Sequence, residues 1–260
     1  IEKSIAAGFM TENPYKNHKD YDSFDLHRPY IDNVILVSPN GEKMFRESDL
    51  IDVWFDSGAM PYAQVHYPFE CNDEQLKACF PADFIAEGVD QTRGWFFTLH
   101  AIAALCFDTI AFKNVVSNGL VLDKVGNKMS KRLGNAVDPF EVLQTYGPDA
   151  TRWYMITNTQ PWENLKFDQA GIDEVRRKFF GTLYNTYSFF ALYANIDGFA
   201  YKEADIEYSK RPEIDRWILS ELNTLIEYCD KSYSEYEPTR AGRAIADFVD
   251  GYLSNWYVRL

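Results

Sequence analysis

The sequence predicts an α/β region followed by an all-α region, and three observations carry that prediction. Short apolar runs at residues 83–87, 115–117 and 120–122 flank one apolar helical stretch at 91–107. Strand, helix, strand is a βαβ unit, which implies a parallel sheet with a right-handed crossover. Beyond residue 138 the chain reads as helical, ending in three long amphipathic stripes of the kind that form a bundle.

Residues 1 to about 70 are polar and Pro-dotted. Within them, residues 33–37 read as a strand running into a turn at Pro39-Asn40-Gly41. Residues 51–55 alternate enough to be another strand, ended by Asp56-Ser57-Gly58. After the strand at 83–87, Gly88 interrupts the run and Asp90 can cap the helix that starts at Gln91. That helix carries Trp95, Phe96, Leu99, Ile102, Ala103, Leu105 and Cys106, so it is apolar on most faces and suits a place between the sheet and another layer.

Phe140, Val142 and Leu143 begin a short helix, residues 150–156 form another, and Gly147-Pro148 breaks between them. The three stripes follow. The first is Ile172, Val175, Phe179, Leu183, Tyr187 and Phe190. The second is Ile214, Ile218, Leu222, Leu225 and Cys229, and the third Ala241, Ile245, Phe248, Tyr252 and Trp256. The boundary between the two regions falls near residue 165, giving domains 1–165 and 166–260.

With 260 residues, 46% hydrophobic and 16% aromatic, the chain can bury one large or two ordinary cores and is not disordered. No apolar run reaches the roughly 18 residues a membrane span needs. The opening Ile1-Glu2-Lys3-Ser4 lacks an initiator Met and a signal region, and reads as a cut through a longer chain. The ending at Val258-Arg259-Leu260 falls inside a helical pattern. Four cysteines are widely spaced with no C-x-x-C pair, so neither a disulfide framework nor protein-bound zinc is expected, and the cytoplasm is the default. His18, His27, His66 and His100 form no metal-ligand pattern.

A net charge of −13 is unusual for a nucleic-acid protein. Local charge is different: Lys124, Lys128, Lys131 and Arg132 cluster in one loop, and Arg176-Arg177-Lys178 stand together at the start of a helix. An acidic body with such basic strips can still bind RNA.

The strongest chemical signal is Gly126-Asn127-Lys128-Met129-Ser130-Lys131-Arg132-Leu133-Gly134-Asn135. Two lysines between glycines can bring both ammonium groups to one phosphate chain, as nucleotidyl transfer needs. The glycines let such a loop close and reopen. A solvated basic loop is the plain alternative. Roughly 40 residues upstream stands Glu87-Gly88-Val89-Asp90-Gln91-Thr92-Arg93-Gly94-Trp95-Phe96. There a strand ends, Gly88 lets a ligand approach the backbone, and ligands of open parallel sheets bind outside strand carboxyl ends. Asp90 can accept hydrogen bonds from ribose hydroxyls or an amino group, and Gln91 can donate and accept.

The lysine run resembles the KMSKS loop of class I aminoacyl-tRNA synthetases, with Arg132 at the last position where many members have Ser. Gly134-Asn135 matches as well. The upstream segment is similar to the G-x-D-Q-x-R-G-W-F segment of the isoleucine, valine and leucine branch. The stretches Leu26-His27-Arg28-Pro29-Tyr30-Ile31-Asp32 and Asp52-Val53-Trp54-Phe55-Asp56-Ser57-Gly58 resemble isoleucyl members more than valyl ones. Pro161-Trp162-Glu163-Asn164-Leu165 and Asn255-Trp256-Tyr257-Val258-Arg259 look like the stem-contact and anticodon-domain segments of the isoleucyl branch.

The resemblance implies the second half of a Rossmann-like parallel-sheet domain joined to the start of a helical anticodon-binding domain. It implies catalytic roles for Lys128, Ser130 and Lys131, an adenylate site lined by Glu87, Gly88, Asp90 and Gln91, and a pocket wall at Trp95, which otherwise reads as core. ATP with Mg²⁺, isoleucine and tRNA(Ile) are the partners implied. The family's H-I-G-H motif is absent from these residues, so the segment alone is expected neither to activate nor to edit isoleucine. A valyl branch member and a non-catalytic RNA- or protein-binding module are the alternatives.

Overall fold

The computed structural model describes residues 1–17, 25, 27–202 and 204–260, divided into two units, 1–56 and 57–260. His18 and Leu26, named above, lie outside the described residues.

In the first unit, helix α1 (Glu2–Ala6) is tied down by Ser4, whose buried hydroxyl donates to the Ile35 carbonyl. The predicted strand at 33–37 forms only at its end, because Tyr30–Asn33 makes a 3-10 turn. Strand β1 (Leu36–Val37) pairs antiparallel with β2 (Lys43–Met44), Leu36 opposite Met44. The predicted turn lies between them, and Gly41 takes the left-handed φ of 83° that closes it.

The second predicted strand is not one: Val53–Gly58 is a helix, α2. Asp52 decides this. Its carboxylate accepts from the Trp54 amide at 2.8 Å, an N-cap bond that starts a helix where side-chain alternation had suggested a strand.

In the second unit, α3 (Met60–Ala63) and α4 (Asp73–Cys79) lead into β3 (Ile85–Gly88). Helix α5 (Trp95–Phe107) then crosses to β4 (Val115–Asn118), which runs parallel to β3 with Ile85 opposite Val115 and Gly88 opposite Asn118. The predicted βαβ unit is therefore present. Its helix starts later than expected, because Val89–Arg93 is a 3-10 turn and Gly94, at φ −141° and ψ −113°, separates it from α5. The helix also buries one face rather than most. Phe96, Leu99 and Ala103 are buried, Leu99 and Ala103 in a cluster with Tyr62, Leu76, Phe80 and Ala111, while Phe97 and Leu105 stay exposed.

The strand predicted at 120–122 appears as β5 (Val121–Leu122) and pairs parallel with β6 (Leu165–Lys166), a strand the sequence did not announce. The segment 161–167 runs along 119–122: Gly119 N donates to Pro161 O at 2.8 Å, Leu120 N to the Asn164 side chain at 2.8 Å, and Phe167 N to Leu122 O at 2.9 Å. Position 119 must be glycine, since a Cβ there would stand 2.2 Å from the Glu163 carbonyl oxygen.

Helices α6 (Pro139–Tyr146) and α7 (Pro148–Asn158) form as predicted, each with proline in its first turn and broken at Gly147. Val142, Ala150, Tyr154, Leu165 and Ile172 make a second buried cluster. The first long stripe becomes α8 (Gln169–Val175) and α9 (Gly181–Asp197), joined without a break by a π turn, Arg176–Phe180. The second is α10 (Glu213–Ser234). The third is α11 (Pro238–Asp247), continued as a π-helical stretch, Phe248–Tyr257. Ile218, Phe248 and Val249 form a third cluster with Phe179, Leu225 and Leu253.

The stripes fail where the π turns begin. In the first, Ile172 is buried but Leu183, Tyr187 and Phe190 are exposed. In the third, Phe248, Val249, Leu253 and Tyr257 face the cluster, Tyr252 stays exposed at its edge against Trp217 and Phe248, and Trp256 is exposed. A π turn holds more residues than an α turn and so advances the buried face by a position. Among the described residues, no helix is long and apolar enough to cross a membrane.

Candidate functional site

Two groups of predicted site residues emerge, each built by contacts of its own. The first follows the carboxyl end of β3. Glu87 and Gly88 are the last residues of that strand, opposite Ser117 and Asn118, and Asp90 and Gln91 lie in the 3-10 turn. Asp90 was expected to cap a helix and does not. Gly88 and Gly94 occupy the cap positions, and the Asp90 carboxylate instead accepts from the Gln91 amide at 3.1 Å. Gln91 supplies the helix start, its side-chain oxygen accepting from the Trp95 amide at 3.0 Å. The Asp90 carboxylate is left exposed and acceptor-rich beside Gly88, where a Cβ would come within 2.5 Å of it. Trp95 is half-buried against the first apolar cluster, and its indole N–H donates to Ser57 O at 2.9 Å. Apolar packing and this hydrogen bond together orient the ring.

The second group is the lysine loop after β5. Leu122 and Lys128 form an antiparallel bridge, and Asp123 N donates to Asn127 O at 2.9 Å, closing a tight reversal. Gly126 at φ 99° and Gly134 at φ 66° supply the left-handed corners. Ser130 caps the 3-10 turn Lys131–Leu133, its hydroxyl accepting from Leu133 N at 3.2 Å. Lys128 and Lys131 are exposed and, with Lys124 and Arg132, enter no ion pair among the described residues.

That contrasts with Arg176-Arg177-Lys178. These residues occupy the π turn in mid-helix, not a helix start. Arg176 and Arg177 both engage Asp173, at 2.6 and 2.9 Å, and Lys178 engages Glu174. Of the two basic strips, the triplet is thus ion-paired and the loop is not, among the described residues.

Two residues of the loop carry contacts that motif reading passed over. Asn135 accepts from Ser130 N at 2.9 Å and donates to Asp123 Oδ2 at 3.0 Å and Lys128 O at 3.3 Å. The other Asp123 oxygen accepts from Val125 N at 3.1 Å and Asn127 N at 2.8 Å. These donors, the Asn135 amide first, hold the Asp123 carboxyl below its usual range. The Asp123-x-x-Gly126 spacing is a turn signal that could have marked the first of them.

No hydrogen bond or ion pair among the described residues joins the two groups. Nor does either line the apolar cleft bounded by Phe84, Val116, Val121, Met155, Tyr236 and Pro238. Among the described residues, no group of three His, Cys, Asp or Glu side chains could hold a metal ion.

Residues 6–168 match the family model described as tRNA synthetases class I (I, L, M and V). The chain belongs to the class I tRNA synthetases. Residues 215–260 match the anticodon-binding domain of tRNA ligase. A Bacteroides thetaiotaomicron relative named isoleucine–tRNA ligase is 70% identical over 100% of this chain, which covers 23% of that relative. The chain spans about a quarter of the length of the curated relatives it matches.

Two solved members of the family show the same fold. The LeuRS of Agrobacterium radiobacter K84, in a ternary complex with tRNA and LeuAMS, aligns with TM-score 0.65 and 22% identity over 87% of this chain and 30% of that one. Mycobacterium tuberculosis methionyl-tRNA synthetase bound by methionyl-adenylate aligns with TM-score 0.62 and 20% identity over 76% of this chain and 38% of that one. The expected Rossmann-like half-domain followed by helices is the family's architecture, and the isoleucine relatives do not favour the valyl alternative.

Proposed function

We propose that this chain is a segment of an isoleucine–tRNA ligase, contributing the phosphate-contact loop and part of the adenylate site to activation of isoleucine and its transfer to tRNA(Ile). The observation that carries this reading is the lysine loop: two exposed lysines, in no ion pair among the described residues, on a reversal braced by side-chain hydrogen bonds, in a chain with isoleucine-ligase relatives.

The reaction asks for positioning and charge stabilisation. An isoleucine carboxylate oxygen attacks the α-phosphorus of ATP, the bond to the bridging oxygen breaks, and pyrophosphate leaves. The ammonium groups of Lys128 and Lys131 would take the charge gathering on the pyrophosphate, with Ser130 holding the turn between them. Glu87, Gly88, Asp90 and Gln91 would line the adenylate, where the Gly88 backbone permits close approach and the Asp90 carboxylate accepts from ribose hydroxyls or the amino group. Trp95, its indole fixed by Ser57, would form one wall of the side-chain pocket. Mg²⁺ accompanying ATP would be held by phosphates and water, so no residue of this chain is assigned to it. The catalytic part would end near residue 165 and the anticodon-binding part begin there. The cytoplasm is the expected compartment.

The test is amino-acid-dependent ATP–pyrophosphate exchange on the full-length ligase, comparing isoleucine with valine and including Lys131→Ala. Isoleucine-preferred exchange that collapses in the variant supports both the identity and the loop's role. A valine preference, or no exchange with any amino acid, rejects the proposal. Residues 1–260 alone are expected to show no exchange.

A further inference from the structure

Lys128 bridges Leu122 and Lys131 opens the 3-10 turn, and between these short pieces of regular structure the backbone is braced by side chains. The Asn135 amide reaches the backbone on both sides of Met129, accepting from the Ser130 amide and donating to the Lys128 carbonyl. Its second donor contact anchors it to Asp123 Oδ2, while Asp123 Oδ1 collects the Val125 and Asn127 amides. Beside the Leu122–Lys128 bridge, the Asn135–Asp123 side-chain pair thus ties residues 128–135 to residues 123–128.

The chemistry explains why the pair is an amide and a carboxylate. Asn135 faces one donor, the Ser130 N–H, and two acceptors, the Lys128 carbonyl and the Asp123 carboxylate. Only an amide offers an acceptor and donors together at that length. A carboxylate there would set charge against charge and against a carbonyl dipole. An alanine would leave Lys128 and Lys131 on a loop free to sample many arrangements.

We infer that Asn135 and Asp123 are positioning residues of the transfer step, holding Lys128 and Lys131 in the arrangement that meets the leaving pyrophosphate. This rests on the reading of the loop given above. Neither residue touches substrate; each acts through the lysines. Loss of the pair should slow the chemical step more than it weakens substrate binding, because the cations remain and only their arrangement is lost.

The experiment uses the full-length ligase with Asn135→Ala, Asn135→Asp, Asp123→Asn, the exchanged pair Asp123→Asn with Asn135→Asp, and Lys131→Ala. Pyrophosphate exchange, the KM for isoleucine and the melting temperature are measured for each. The single variants are expected to lose about ten- to a hundredfold in kcat, with KM for isoleucine and melting temperature unchanged. The exchanged pair should recover part of the loss seen in Asn135→Asp, since an amide at 123 can donate to a carboxylate at 135 while its oxygen still accepts from the Val125 and Asn127 amides, and only the Lys128 carbonyl is left without its donor.

Single variants at wild-type kcat, beside a Lys131→Ala variant that collapses, would overturn this inference and leave the proposed function standing. Full exchange by Lys131→Ala would overturn both. A joint fall of kcat, isoleucine affinity and melting temperature, without recovery in the exchanged pair, would reduce the two residues to a structural role and reject the inference.

Discussion

Tyr62 shows how much a single residue can carry and leave unsatisfied. Its ring is buried, stacked on Phe107 at 4.2 Å and edge-on to Phe80 at 5.0 Å, while its hydroxyl has no hydrogen-bond partner among the described residues. The ring contributes packing and the hydroxyl contributes a desolvation cost. Burial pushes the phenol up to about 12. We predict that Tyr62→Phe matches or exceeds wild-type stability, by up to about 1 kcal/mol in thermal or urea melts. The same residue sets an alkaline limit. In the unfolded chain the phenol ionises near its ordinary value, about 10, whereas the native state keeps its proton to about 12. Stability from this group is therefore complete below the unfolded value and is lost as pH rises through that window. Between about pH 9 and about pH 11 wild type should lose more stability than Tyr62→Phe, and an equal loss would count against this assignment.

At the scale of elements, two features stand out in the second half. The first is the join between α11 and α7. Thr239 is fully buried and donates to Ile156 O at 2.7 Å, with Thr159 O at 3.1 Å, while Arg243 donates to Thr157 O and Asn158 O at 2.8 and 3.0 Å. These are the carbonyls a helix end leaves without internal partners, so α11 serves as the cap of α7. Thr239→Val keeps the volume and strands the carbonyls, and should cost about 1–3 kcal/mol in chemical denaturation. The second is the π stretch after α11. A straight α-helix would bury Tyr252 and Trp256; the π register buries Val249 and turns Trp256 out, 59% exposed. Val249→Ala is expected to cost about 2 kcal/mol and Trp256→Ala within about 0.5 kcal/mol. The reverse ranking would mean the helix is straight.

Across the whole chain, stability is unevenly spread. All three buried apolar clusters lie within residues 57–260, and the first unit buries only Ser4 among its described residues. Irregular segments with large exposed side chains occur at 45–52, with Phe45 81% and Leu50 84% exposed, and at 199–202, with Tyr201 88% exposed. Local opening governs where a protease enters. Limited chymotrypsin digestion read by mass spectrometry should therefore cut first after Phe45, Leu50 or Tyr201. A first cut inside α5, α7 or α10 would contradict this distribution.

The sequence by itself determined whatever depends on near neighbours. Gly88 at the end of β3, the glycine-flanked lysines, helices α6 and α7 with the break at Gly147-Pro148, and the apolar period of α10 are all local patterns, and all were legible. The cap at Asp52 is local too, but the alternation of residues 51–55 reads as a strand and the cap was missed. Only the tertiary structure decided what depends on residues far apart. Strand β6 has two residues and no pattern of its own, and exists because Leu120 and Leu122 offer it carbonyls. The basic triplet at 176–178 is paired with Asp173 and Glu174, an i, i+3/i+4 relation that the helix, not its starting point, creates. The π stretch after α11 moved the third apolar stripe because packing against a neighbouring helix can outweigh regular α-helical hydrogen bonding, whereas α9, after the first π turn, buries no residue. The Asn135–Asp123 contact spans twelve positions in sequence, so neither residue's composition nor its spacing announced that one holds the other.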